Sequence, residues 1–370
     1  AGRDFTYGEG TEADEHTAEE AEAHTVVHIT QPGTYALSGT LSAGQIAVDL
    51  GEDAEDDPAA VVTLILNGVD ITCTVAPAVI FYNVYECGSA DEDTATETVD
   101  TSAAGANVLI ADGTVNNVTG SYVARIYDPD SVVLSEDGMT VEDSEKLHKY
   151  DGAFYSKMSM NVDGGEAGTG VLNITADNEG LDTELHLTIN GGTINITSGN
   201  DGINTNEDNV SVTTINGGTL QINAGLGAEG DGIDSNGHLV INGGTVVASA
   251  NPASDAGLDS DMGSFINGGT VVALGSTMDW AESDSNQVTM NLQFSQYQSS
   301  GSAIVVTKED GTVIFAYDPS EDEVLGENMR QYMGAVISCP AFTRGETYQL
   351  WLDGTVTGTE TGGVYTSVTA

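Results

Sequence analysis

Apolar positions alternate with polar ones along most of this chain, in short bursts separated by turn residues. Val26-Val27-His28-Ile29-Thr30 leads into the turn Gln31-Pro32-Gly33, and Thr34-Tyr35-Ala36-Leu37-Ser38 follows it. Val61 to Leu66 forms another run, breaks at Asn67-Gly68 and resumes as Val69-Asp70-Ile71. Asn107 to Ile110 repeats the pattern ahead of Asp112-Gly113. A two-residue period with turn punctuation predicts β-strands, and no helical period of useful length runs between residues 25 and 275.

An internal repeat narrows the β architecture. Ile-Asn-Gly-Gly-Thr occurs four times, starting at Ile189, Ile215, Ile241 and Ile266, in steps of 26, 26 and 25 residues. A near-constant step of that size suits one turn of a parallel β-helix, with three short strands and three bends. Leucine-rich repeats would need a denser leucine signature, and nonapeptide calcium repeats fail on spacing. Within a copy, Leu187 and Ile189 point inward, Asn190-Gly191-Gly192 bends, and Ile194 and Ile196 point inward again. Asn tolerates the bend and its amide can bond the Asn one turn above, while Gly permits positive φ. In isolation Asn-Gly-Gly would read as a hairpin turn; four copies at one period favour the solenoid.

A second motif lies between the bends: Gly180-Leu181-Asp182-Thr183-Glu184, Gly202-Ile203-Asn204-Thr205-Asn206, Gly232-Ile233-Asp234-Ser235-Asn236 and Gly257-Leu258-Asp259-Ser260-Asp261. Leu or Ile faces in, the next residue out, Ser or Thr in, the last out. Stacking therefore aligns one outward column of Asp182, Asn204, Asp234 and Asp259, and another of Glu184, Asn206, Asn236 and Asp261. Glu179, Asp201, Asp231 and Asp255 add oxygens just before each motif, and Asp151 precedes a looser copy at Gly152-Ala153-Phe154-Tyr155-Ser156-Lys157. After about residue 276 the repeat stops, and Ser302 to Lys308, Val313 to Tyr317, Ala335 to Cys339 and Thr347 to Leu352 read as antiparallel strands. The expected organisation is an acidic tail over 1–24, a parallel β-helix over 25–275 and a C-terminal antiparallel β cap over 276–370, covering the open end of the solenoid.

Charge changes the picture of partners. Lys plus Arg number 8 and Asp plus Glu 58, for a formal charge of −50 in 370 residues. Such a polyanion repels phosphate backbones and anionic lipid, which argues against nucleic-acid or membrane-surface binding. It attracts hard cations. Charged residues are nonetheless only 18% and hydrophobic ones 39%, so the chain can build a core rather than remain a disordered acidic segment. No apolar run is long enough to span a membrane. The chain begins at Ala1 without a signal peptide, as a processed secreted protein would. Cys73, Cys87 and Cys339 fit one disulfide and one leftover thiol, with Cys73–Cys87 the candidate pair; unpaired buried cysteines are the equal alternative.

Neighbouring turns lie roughly 4.8 Å apart, and two carboxylates at that distance repel by about 3.5 kcal/mol at an effective dielectric of 20. Bridging Ca²⁺, which takes six to eight oxygens in flexible geometry, would convert that repulsion into attraction. The bland alternative is a merely soluble acidic face. Catalysis has weaker support. Met158 to Thr307 contains no Lys or Arg, so a lyase's base could come only from Lys157 at the edge. Glycoside hydrolysis needs a carboxylate pair, yet no neighbour distinguishes one pair among so many. His16, His24 and His28 match no metal spacing, and His186 and His238 read as exposed strand residues. Tyr155, Trp280 and Trp351 are candidates to stack on sugar rings.

Tyr150-Asp151-Gly152-Ala153-Phe154-Tyr155-Ser156-Lys157, Val171-Leu172-Asn173-Ile174, the Ile-Asn-Gly-Gly-Thr copies and the Ile29 to Gly39 and Leu64 to Val69 segments together resemble the bacterial extracellular carbohydrate-binding β-helix family. This is the clostridial type that binds cellulose and pectic polysaccharide and shares the pectate-lyase fold. The likeness covers roughly residues 25 to 355. It implies a right-handed parallel β-helix holding several Ca²⁺ ions, displayed outside the cell, that binds polysaccharide without cleaving it. It also places Tyr155 and Lys157 at the head of the two columns. Related sequences often carry Lys where this chain has Glu184, Asn206, Asn236 and Asp261, so an anionic polysaccharide would need bridging calcium here. The alternative is a subunit of a calcium-stabilised extracellular filament or surface layer, joined through solenoid edges or the acidic tail. A polysaccharide lyase or hydrolase ranks third.

Overall fold

The computed structural model of the chain describes residues 20, 23–127, 133–134, 141–143, 146–276 and 279–368. Most of the expected acidic tail, and with it the tail-mediated filament contact, therefore lies outside the described residues. The described chain is all-β, built on a large, mostly parallel and nearly closed sheet. Among these residues a 7-stranded sheet stands beside a 16-stranded one, in which the long strand Val62–Thr72 joins two ladders. That strand continues through Asn67-Gly68 rather than stopping there. Gly68 takes a φ of 79°, and Asn116 Oδ1 accepts the N–H groups of Gly68 and Val69 at the bend.

Each repeat contributes one strand to each of three ladders. Glu179–Thr183, Leu187–Ile189 and Thr193–Ser198 form one rung; Ile203–Thr205, Val212–Ile215 and Thr219–Asn223 lie on it; Ile233–Ser235, His238–Ile241 and Thr245–Ser249 follow. Pairing between rungs is parallel throughout this stretch, with Ile189 on Ile215, Ile241 and Ile266 in turn. The first ladder stacks Leu181 on Ile203, Ile233 and Leu258, all at most 1% exposed. The inward Thr183, Thr205 and Ser235 are fully buried; Thr205 Oγ1 donates to Ser235 Oγ at 2.8 Å, and Ser235 Oγ in turn donates to His238 O at 3.0 Å.

The corner between the second and third ladders explains the invariant motif of the repeat. Asn216, Asn242 and Asn267 each donate their Nδ2 to the Asn Oδ1 one rung below, at 2.9–3.1 Å. The second glycine of each corner has φ between 81° and 89° (Gly192, Gly218, Gly244 and Gly269). A Cβ on Gly218 would stand 2.5 Å from Gly192 O, and one on Gly244 2.6 Å from Gly218 O, so backbone approach as well as φ excludes a side chain.

The C-terminal strands meet this stack in two ways. Tyr332–Ser338 pairs antiparallel with Thr270–Gly275 and carries Thr289–Gln298 on its other side, closing the free edge of the third ladder. A five-stranded antiparallel sheet then packs on the flank of that ladder instead of its end. Val247, Val272 and Leu274 share a core with Ile304, Val306, Phe315 and Tyr317. The outward column that they complete runs Asn117, Asn173, Asn195, Gln221, Val247, Val272, and it turns from amide to aliphatic where the sheet sits. The sequence reading placed these strands only over the open end.

Two further expectations are corrected. Cys73 and Cys87 are not bridged: all three cysteines are free thiols. Cys73 is fully buried at the end of Val62–Thr72, whereas Cys87 lies in the segment after Val79–Asn83 with its Sγ 3.8 Å from Asp100 O. His186 and His238 are not exposed but 3% and 9% accessible, because residues 84–105 lie across the outer side of the second ladder. His186 Nδ1 accepts the Val212 N–H at 3.1 Å, and burial pulls its pKa down to about 4.

Gly218→Ala should cost about 1–3 kcal/mol through backbone strain, read as a lower thermal midpoint. Gly191→Ala, whose added Cβ would meet Gly164 N at an ordinary 3.6 Å, should stay near wild type. Alkylation in denaturant without reductant should label Cys73, Cys87 and Cys339 alike by intact mass; a single label would mean a bridge.

Candidate functional site

The acidic motif occupies the first ladder. A glycine opens each copy because nothing larger fits: a Cβ on Gly180 would lie 2.4 Å from Ile196 Cγ2 and 2.5 Å from Gly202 O, and one on Gly202 2.2 Å from Ile222 Cγ2. Two carboxylate columns follow from the register. Asp182 pairs with Asn204 and Asn204 with Asp234, while the Ile233–Leu258 bridge sets Asp259 beyond Asp234. Gly152 pairs with Glu179, and the same register carries Glu179 to Asp201 and Asp231.

These columns share one flank. Asn204 Nδ2 donates to Glu179 Oε1 at 3.2 Å and to Asn206 Oδ1 at 3.1 Å, and Asn206 Nδ2 donates to Asp182 Oδ1. Asp182 is fully buried, Glu179 2% and Asp201 7% exposed; Asp231, Asp234 and Asp259 are half-buried. Backbone N–H groups satisfy part of the negative charge. Asp231 N–H donates to Asp201 Oδ1 at 2.6 Å, Ala256 N–H to Asp231 Oδ1, and Gly230 N–H to Asp255 Oδ2 at 2.8 Å. Asp151, itself 4% exposed, donates its N–H to Asp182 Oδ2 at 3.3 Å. Asn204 Oδ1 is buried and accepts no hydrogen bond.

Burial and mutual repulsion raise the carboxyl pKa values. Asp201 is pushed up to about 9, chiefly by burial and then by Glu179, Asp234 and Asp231. Asp231 rises to about 7 through burial, with Asp234, Asp255 and Asp279 adding to it. Asp259 reaches about 7 through burial and its hydrogen bond with Asp279. Asp279 stands outside the repeats, so periodicity gave no sign of it; Ser260 N–H donates to both Asp259 Oδ1 and Asp279 Oδ2. Arg330 is the other residue missed. Its guanidinium donates to Gly225 O and Asn223 Oδ1 at 2.7 Å and feels the charge of Asp255.

The expected second column is less uniform. Glu184 is half-buried and accepts the Tyr155 hydroxyl at 2.8 Å, Asn236 donates to Asp208 Oδ1 at 2.7 Å, and Asp261 is exposed. Tyr155 is 3% exposed with its ring 4.9 Å from that of Tyr150, so it offers no face to a sugar. Lys157 is paired with Glu55 and lies 5.4 Å from the Tyr82 ring centroid, which removes it as a free base. Trp280 is 44% exposed, next in sequence to Asp279 on the rim of the acidic flank.

A family model described as carbohydrate-binding domain-containing protein matches residues 23–292, well over half of the chain. The chain belongs to this carbohydrate-binding domain family. A carbohydrate-binding domain-containing protein of Acetivibrio thermocellus is 30% identical over 167 residues, 45% of this chain and 43% of that protein. The chain thus spans less than half the length of the curated relative that it matches. Among solved structures, the gadolinium derivative of a polysaccharide lyase-like protein from C. thermocellum aligns over 66% of this chain and 83% of its own, at 23% identity and a TM-score of 0.39.

The raised carboxyl values fix the sign of a pH effect. An Asp whose folded pKa lies above its unfolded value favours folding while protonated, and that contribution is lost as pH rises through the folded value. In chelator, where no divalent ion competes, the thermal midpoint should fall as pH climbs from about 4, where unfolded aspartates ionise, to about 7, the folded value for Asp231 and Asp259. Asp231→Asn, which keeps an acceptor for Ala256 N–H, should flatten that slope.

Proposed function

We propose that this family member is a secreted, calcium-binding right-handed parallel β-helix that binds extracellular polysaccharide without cleaving it. The family match over residues 23–292 carries the polysaccharide half of the reading. Right-handed winding is what strand twist favours for parallel strands joined by crossovers. An insoluble polymer is met outside the cell, which is why we place the protein there.

Calcium is supported by the chemistry of the donor set. The first ladder offers oxygen almost exclusively: Glu179, Asp201 and Asp231 in one column, Asp182, Asn204, Asp234 and Asp259 in the other. The buried Asn204 Oδ1 is an acceptor still open to a cation. Among the described residues no three His, Cys, Asp or Glu side chains already converge on one point. The ligands would therefore combine one or two carboxylates with amide, carbonyl and water oxygens, a mixture Ca²⁺ accepts and Mg²⁺ tolerates poorly. When bound, the ion would neutralise carboxylates that otherwise hold protons at neutral pH, and it could accept sugar hydroxyl or carboxylate oxygens at its open positions. Exposed Trp280 beside Asp279 gives a sugar ring an apolar face at the edge of the same flank.

One observation favours the enzymatic alternative. Asp231 and Asp259, both pushed up to about 7, have values suited to a general acid. Stacked burial without a counter-ion produces the same shifts, and Lys157 is already engaged by Glu55, so binding without cleavage remains our reading.

Millimolar Ca²⁺ should raise the thermal midpoint and chelator should reverse it; one site at a hundredfold its Kd contributes about 2.7 kcal/mol, or roughly 3–4 °C for a chain of this length. The double variant Glu179→Gln, Asp182→Asn should lose most of that rise. Wild type should be retained on insoluble glucan or pectate and release no reducing ends or unsaturated products. Retention on no glycan would remove the binding reading, and product release would replace it with catalysis.

A further inference from the structure

An open groove lies on the second ladder rather than on the acidic flank. It encloses about 780 Å³, within the range of ligand sites. Its floor is one outward column in register: Asn161, Thr188, Thr214, Val240 and Phe265. One wall is the corner ladder of Asn190, Asn216, Asn242 and Asn267. The other is the strap of residues 97–102, held down at one end where Thr101 Oγ1 donates to Asn161 Oδ1 and is hydrogen-bonded to the Thr188 hydroxyl, each at 2.7 Å, while Asn161 Nδ2 donates to Thr101 O. From Thr188 to the Asp284 rung the groove crosses four spacings, roughly 19 Å at 4.8 Å each.

We infer that this groove seats an extended, uncharged glycan chain, an assignment that rests on the polysaccharide-binding reading above and names its site. The chemistry is complementary. Sugar hydroxyls both donate and accept, and so do the Asn amides and Thr hydroxyls that line the groove. Within the wall, Asn216 and Asn242 each spend one N–H and one oxygen lone pair on their neighbours and keep the others for a ligand. Phe265 is half-buried, its ring 5.9 Å from that of His238, and with Val240 it gives the floor an apolar patch for the C–H face of a ring. The amide bonds between rungs hold these groups in place before any ligand arrives, which lowers the ordering cost of binding.

Charge selects among glycans. Glu97, Asp100, Asp163 and Asp284 stand around the groove, and no Lys or Arg is among the described residues lining it. A uronate chain would place its carboxylates against these, whereas a neutral hexose polymer meets no such repulsion.

The test uses the full chain, with cellohexaose as the neutral probe and hexagalacturonate as the anionic one, followed by calorimetry in Ca²⁺. Thr214→Arg fills the middle of the groove from a half-buried outward position, and Asn173→Arg makes the matching change on the third ladder. The expected result is that wild type and N173R bind cellohexaose alike and T214R binds it at least tenfold more weakly, with an unchanged thermal midpoint. If T214R binds as well as wild type, the groove is not the site although the protein still binds glycan. Preference of wild type for hexagalacturonate, lost in T214R, would overturn the neutral assignment. Binding of neither probe by wild type would overturn the polysaccharide reading and this inference with it.

Discussion

Parallel pairing between rungs at a fixed chain step is the constraint on which every other feature depends. It sets like residue upon like residue, and the consequence differs with the chemistry of the side chain. Aliphatic columns such as Leu181, Ile203, Ile233 and Leu258 gain close packing and lose water. Asparagine columns gain a hydrogen bond per step, since each amide both donates and accepts. Aspartate columns gain nothing from one another: stacked and buried, they retain protons that exposed aspartates would lose. Glycine columns are the condition for all three, because carbonyls of an adjacent rung occupy the space a Cβ would need at Gly180, Gly202 and Gly218.

This explains how much of the molecule was legible in its sequence. Any residue whose environment is its own counterpart one step away could be placed by counting, which is why the Ile-Asn-Gly-Gly-Thr corners and the Asp182-Asn204-Asp234 column lie where the spacing put them. Residues whose neighbours come from outside the repeat could not. His186 is buried by residues 84–105, a non-repeating insertion between rungs, and nothing in its own motif records that cover. Asp279 joins Asp259 from beyond the last copy. Tyr155 sits at the head of a column as counted, yet its ring packs on Tyr150, which belongs to an antiparallel hairpin inserted ahead of Asp151. A count of three cysteines leaves both a Cys73–Cys87 bridge and free thiols open, and it cannot show that one lies in the core of a rung and the other in a crossing segment.

The docking face of the C-terminal sheet is also written in the repeat. The outward column of the third ladder changes from Asn117, Asn173 and Asn195 through Gln221 to Val247 and Val272. An exposed column that becomes aliphatic partway along predicts that something covers it there, since water would otherwise meet valine. The five-stranded C-terminal sheet is that cover, and Gln221 at the transition donates to its Asp322 at 3.1 Å. The tool that finds a solenoid thus also finds its docking face, provided each column is followed for change as well as for sameness.

The three outer faces have therefore separated in chemistry while sharing one backbone plan. The third is amide and then aliphatic, and serves the chain's own C-terminal sheet. The first is carboxylate-rich, and its protonated aspartates mark an electrostatic cost that a hard cation would relieve. The second is hydroxyl and amide, with Phe265 and Val240 in its floor and acids confined to its border. In a chain of net charge −50, the outward column of this face carries no ionised group, and it is the face that a strap of 97–102 converts from a flat surface to a groove. A flat ladder offers a sugar chain contacts from one side only. Walls on both sides multiply the polar groups within reach of each ring, and because those groups are already bonded between rungs, contact orders little that the fold has not ordered already.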